Sequence, residues 1–153
     1  MRSFLRGFVY AANGIRVAIK EERNIRFHLC AAAYVYLFSL FYPFGTVEYT
    51  LLTLLIAAVI GTEMVNSAIE RAVGPPVRGN NNKYTAHAKD MAAGAVLVWA
   101  VAAVVCAVFL FWQPAVFHNI YLFFYARPWL LVLLVLSFAG SYWFVFHFGK
   151  NKE

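Results

Sequence analysis

The stretch Glu63-Met64-Val65-Asn66-Ser67-Ala68-Ile69-Glu70 sets two carboxylates, an amide and a hydroxyl at intervals of three and four residues. Wound as a helix, Glu63, Asn66, Ser67 and Glu70 fall within about 100° of one another and share one face. The stretch closes a long apolar run. Ionisable groups at membrane depth cost roughly 2.5 kcal/mol or more each near the centre, so they normally face protein or a water-filled site. A buried inter-helix hydrogen-bond network is the plainer reading, but the same run holds no basic residue, and two acids seven residues apart repel unless a proton or cation intervenes. A bound divalent cation resolves the conflict. Further on, Lys89 and Asp90 stand where another apolar run begins, in His87-Ala88-Lys89-Asp90-Met91. At a helix N-terminus such a pair can position a nucleotide and its metal, or Asp90 can simply compensate the helix dipole and His87 lie at an interface. The small residues Ala92, Ala93, Gly94 and Ala95 that follow suit close helix packing.

These residues need elements to hold them. Of the 153 residues 63% are hydrophobic and only 13% charged, an apolar share well above that of soluble domains. Four apolar runs, at about 27–44, 49–69, 91–112 and 129–148, are each long enough to cross ~30 Å of hydrocarbon as a helix. With the N-terminus inside, every Lys and Arg except Arg127 falls on the cytoplasmic side, and the opposite orientation would invert that count. The net charge of +6 is thereby explained by topology, and a nucleic-acid partner is not expected. Met1-Arg2-Ser3-Phe4-Leu5-Arg6 is basic but lacks the compact apolar core and cleavage site of a signal peptide, so the chain is expected to begin in the cytosol. Cys30 and Cys106 lie inside apolar runs and read as small hydrophobes.

Residues 1–22 read as an amphipathic helix on the membrane surface. Arg2, Arg6, Asn13, Arg16 and Lys20 cluster within about 80°, with Phe4, Phe8, Ile15 and Ile19 in a neighbouring sector. If that helix persists to its end, Glu22 projects on the apolar side with Phe4 and calls for a partner. The stretch 71–86 is rich in Gly, Pro and Asn and reads as a cytoplasmic loop.

Three blocks carry a resemblance: Glu21-Glu22-Arg23-Asn24-Ile25-Arg26-Phe27-His28, then Glu63 to Glu70 as above, then Ala88-Lys89-Asp90-Met91-Ala92-Ala93-Gly94-Ala95-Val96-Leu97. In order and spacing, over residues from about 5 to 112, they resemble the prokaryotic diacylglycerol kinase and undecaprenol kinase family. The resemblance implies an all-α integral membrane protein of the bacterial cytoplasmic membrane. It would have an N-terminal surface helix and three family spans within a kinase domain at 1–112. Residues 113–153 form an extension with an extra fourth span at about 129–148, returning the C-terminus to the cytosol. It further implies a homotrimer with active sites shared between chains. By position, Glu63 resembles the catalytic base, with Asn66 and Ser67 beside it at the lipid substrate. Glu22 and Glu70 resemble the ligands of a Mg2+ ion bridging the phosphates of ATP, and Lys89, Asp90 and Arg16 resemble nucleotide-site residues. Phosphoryl transfer asks for these parts, because the protein mainly positions reactants, neutralises phosphate charge and accepts a hydroxyl proton. No Gly-x-x-x-x-Gly-Lys loop is present to hold ATP in another way.

The block around Glu21 and the Ala-Ala-Gly-Ala-Val-Leu run look more like the undecaprenol branch than the diacylglycerol branch. The loop after Glu70 departs from many relatives in lacking an acidic residue, which bears on nucleotide contacts from that loop. A non-catalytic channel or scaffold whose acids line a polar interface is the alternative of a different class. A lipid phosphatase would need a Pro-Ser-Gly-His block that is absent.

Overall fold

The structure, a computed structural model, describes residues 2–74 and 83–149, with side chains from residue 5 onward. It is all-helical among these residues: α1 (Arg2–Glu21), α2 (Arg23–Ser39), α3 (Thr46–Val73), α4 (Lys83–Phe111), α5 (Pro114–Ala126) and α6 (Pro128–His147). Residues 75–82 of the expected loop and 150–153 of the tail lie outside the described residues, as do the side chains of Arg2 and Phe4.

Helices α3, α4 and α6 are long and apolar enough to cross a membrane. The run expected at 27–44 becomes a shorter helix. α2 has 17 residues, about 26 Å at 1.5 Å per residue. It ends at Ser39, whose hydroxyl donates to the Tyr36 carbonyl at 2.8 Å, and residues 40–45 turn the chain. α3 extends past the expected 49–69 at both ends. Its start is held by Glu48, whose Oε2 accepts from the Gly45 N–H at 2.8 Å. That places an acid at the positive end of the helix dipole.

Two expectations about connections are corrected. The stretch 71–86 is not loop throughout, because α3 continues to Val73 and α4 already begins at Lys83. Residues 113–127, which precede the expected fourth span and were assigned no element, contain α5, of 13 residues. Proline opens both α5 and α6, at Pro114 and Pro128. Its fixed φ and missing N–H suit the first helical position.

α3 packs along α4, α2 packs against both α3 and α6, α1 against α2, and α5 against α6. At one end of the bundle the Tyr42 hydroxyl donates to the Phe111 carbonyl at 3.0 Å, tying the α2–α3 turn to the end of α4. The rings of Tyr42, Phe44 and Phe111 meet edge-on or tilted around it. Midway along α2, the Tyr34 hydroxyl lies 3.0 Å from that of Ser137 and 2.9 Å from that of Ser141, fastening α6 to α2. Little apolar area separates helices from lipid tails, so such interhelical hydrogen bonds and close packing carry association that burial carries in water. The apolar side chains of α4, among them Leu97, Val101, Val105 and Phe109, point outward, as expected of a helix whose solvent is hydrocarbon.

Candidate functional site at the polar end of the bundle

The other end gathers the chemistry, and three side-chain contacts define it. Arg71, near the end of α3, donates to Glu22 Oε1 from Nη2 at 2.6 Å and from Nε at 3.2 Å. Its Nη1 reaches Glu21 Oε2 at 2.7 Å. Lys89 Nζ donates to the carbonyl of Gly74, the C-cap of α3, at 2.7 Å. Arg26 joins the ends of α1 and α6, as described further below. The C-terminal turns of α1, α3 and α6 and the N-terminal turns of α2 and α4 thus face one side of the molecule.

Glu22 is where the first helix breaks. Its backbone is extended, with φ −100° and ψ 116°, and it is the N-cap of α2. The surface helix therefore does not persist to Glu22, and the expected projection alongside Phe4 is replaced by a turn that aims the carboxylate at α3. The partner that Glu22 was expected to need is Arg71. The sequence left that partner unnamed; Arg71 stands two residues past the apolar run 49–69.

On α3 the four expected residues divide by depth. Glu63, Asn66 and Ser67 are buried, at 4%, 8% and 8% exposure, whereas Glu70 lies exposed at the helix end. Asn66 bridges the two levels. Its Nδ2 donates to Glu70 Oε1 at 3.2 Å, while its Oδ1 is buried with no hydrogen-bond partner among the described residues. An unpaired buried amide oxygen costs about 1–3 kcal/mol. It leaves an acceptor open to a further donor or cation. Glu63 lies about 10 Å deeper along the helix than Glu70, and no group among the described residues hydrogen-bonds its carboxylate. About a turn further from the polar end, an apolar groove of about 310 Å³ lies between α2, α3 and α4, lined among others by Phe27, His28, Val59 and Val104.

The remaining expected residues are less gathered. Lys89 and Asp90 do not stand at the helix N-terminus, because α4 starts at Lys83 and places them in its second turn. Lys89 is half-buried and committed to Gly74, while Asp90 and Arg16 are exposed with no hydrogen bond to the other site residues among those described.

Among the described residues no three His, Cys, Asp or Glu side chains form a metal cage. A magnesium ion that serves a nucleotide does not need one, since it is commonly held by one or two carboxylates together with substrate phosphates and water. Glu22, brought to the helix end that carries Glu70, and Glu70 itself supply hard carboxylate oxygens of that kind. The donor set fits, with the condition that Arg71 yields or shares the Glu22 carboxylate.

The chain is similar in sequence to known proteins. The sequence model described as prokaryotic diacylglycerol kinase matches residues 9–111. The undecaprenol kinase of Bacillus subtilis (strain 168) is 32% identical over 111 residues, covering 72% of this chain and 89% of that protein. The diacylglycerol kinase of Synechocystis sp. is 32% identical over 103 residues, covering 67% of this chain and 59% of that protein. No solved structure matches the chain. Every candidate residue from Arg16 to Asp90 lies inside the matched region, and α5 and α6 lie wholly beyond it.

Proposed function

The chain belongs to the prokaryotic diacylglycerol kinase family, and on that premise we propose that this membrane lipid kinase transfers the γ-phosphate of Mg·ATP to the hydroxyl of undecaprenol at the cytoplasmic face. The observation that carries the reading is the fold-imposed approach of Glu22 to the end of α3. It brings Glu22 to Arg71, the residue that follows Glu70 on α3, at the same end of the helix as the buried pair Glu63 and Asn66.

In this reading the lipid hydroxyl oxygen attacks the γ-phosphorus, the bond from that phosphorus to the β–γ bridging oxygen breaks, and ADP leaves. Glu63 accepts the hydroxyl proton, and its burial keeps it at the level where a lipid headgroup enters. Asn66 orients that headgroup through its free oxygen and holds Glu70 through its amide. Glu22 and Glu70 would hold the Mg2+, which when bound offsets phosphate charge. Lys89 fixes the α3–α4 junction, and Arg16 and Asp90 border the nucleotide. The groove from Phe27 and His28 to Val104 offers an apolar path for a lipid chain. The unburied face of α4, with the small residues Ala93 and Ala95 on it, suits packing between copies, and a homotrimer sharing sites belongs to this proposal.

Undecaprenol is favoured by the relative of which the chain covers the larger share. Diacylglycerol is the second reading, carried by the other relative's name. The test is thin-layer separation of radiolabelled product after incubating purified protein with Mg·ATP and either lipid. Label in the polyprenol is expected. Label in diacylglycerol with polyprenol ignored would transfer the assignment to the second reading, and no labelled lipid at all would favour a non-catalytic protein.

A further inference from the structure

Arg26 is the most heavily committed polar side chain of the described structure. At 4% exposure, its Nη1 donates to the carbonyls of Ile19 and Lys20 in the last turn of α1, each at 3.0 Å. From its opposite edge, Nε and Nη2 donate to the carbonyl of Val145 in the last turn of α6, at 3.2 and 3.1 Å. A helix leaves its final carbonyls without intrahelical donors and carries partial negative charge there. One guanidinium therefore caps two helix ends at once, and no carboxylate among the described residues pairs with it.

The α6 side of this joint is equally specific. Just past α6, Gly149 has φ +85°, and a Cβ there would collide with the Lys20 carbonyl oxygen. Only glycine lets the chain close onto the end of α1 at this angle. Arg23 adds a cation–π contact to Phe146, 5.5 Å from its ring centroid. Between the carbonyls that Arg26 grips and Arg26 itself stands the one-residue break at Glu22. The Glu22 N–H bonds the Ala18 carbonyl at 2.9 Å. Neither glycine nor proline makes this break; the extended residue is held by what surrounds it.

We propose that Arg26 is a positioning residue through which α6, an element beyond the family match, sets the angle between α1 and α2 and so aims the Glu22 carboxylate at the nucleotide site. The inference rests on the kinase reading for what Glu22 binds, but not for the brace itself. The joint is approached from both sides. Arg26→Lys keeps the charge with a point ammonium that cannot fork between two helix ends. Gly149→Ala leaves Arg26 intact and forces α6 away from α1. Both variants are made in the full chain, and steady-state kinetics are paired with amide hydrogen exchange in detergent without nucleotide.

In both variants KM for Mg·ATP is expected to rise about tenfold, as when outer partners of a metal site are lost, with kcat and the lipid KM within about twofold of wild type. Exchange at the Glu22 amide is expected to quicken in both. Unchanged KM for Mg·ATP in either variant, or a parallel rise in lipid KM, overturns the proposal, as does quickened exchange confined to α6. If the wild type phosphorylates no lipid, the kinase reading fails, and unaltered exchange at Glu22 in both variants would then overturn the brace on its own.

Discussion

Arg71 and Glu22, 49 residues apart, meet through two hydrogen bonds on the oxygen Oε1, the shorter at 2.6 Å. The pair closes the α1–α2 break onto the end of α3, yet it also occupies a carboxylate that the proposed chemistry needs for a cation. Both side chains retain solvent access, at 44% and 28%, so the pair is worth only about 0.2–1 kcal/mol. Arg71→Met should therefore lower the Mg2+ concentration for half-maximal activity by about twofold to fivefold, because Glu22 is released. A magnesium titration at saturating ATP and lipid reads this directly, and a rise instead of a fall would make Arg71 a helper of the cation site.

Glu63 is buried and hydrogen-bonded to nothing among the described residues, as a base waiting for a substrate hydroxyl would be. Glu63→Gln keeps the shape and removes the basic oxygen. Turnover should fall about 100-fold or more, while binding of a fluorescent ATP analogue stays within about twofold of wild type. Retained turnover would remove the proton-accepting role from this residue.

Glu70 bonds Asn66 and lies at the solvent edge. Glu70→Gln preserves an acceptor for the Asn66 amide while removing the charge. The half-saturating Mg2+ concentration should rise about tenfold, with the lipid KM unchanged. Equal changes in both constants would instead mark a structural defect of the α3 end.

Tyr34 fastens α6 to the bundle through the two serines. Tyr34→Phe retains the ring contact with Phe138, 4.6 Å between centroids, and loses the hydroxyl. Unfolding in mild detergent monitored by circular dichroism should show a destabilisation of about 1 kcal/mol. The Ser137→Ala, Ser141→Ala double variant should give a similar loss, and combining all three should add little, because they remove one shared network.

The chain's class was written in its residues. Apolar runs of bilayer length and basic residues biased to alternate connections state a helical membrane protein, because the solvent dictates composition. The spacing of Glu63, Asn66, Ser67 and Glu70 placed them on one face, because a helix repeats every 3.6 residues whatever surrounds it. The Pro114 and Pro128 starts were legible by the same local logic.

What local periodicity does not carry is any relation between helices. The break at Glu22 has no glycine or proline to announce it, since the cap for the exposed carbonyls of α1 comes from Arg26. The partnership of Arg71 with Glu22, the diversion of Lys89 to Gly74 and the seating of α6 on α2 each depend on distances between helix ends. Those distances follow from how side chains pack and how buried polar groups find partners. Sequence therefore determined which residues could do chemistry and which share a helix face; the tertiary structure alone decided which are buried and which of them meet.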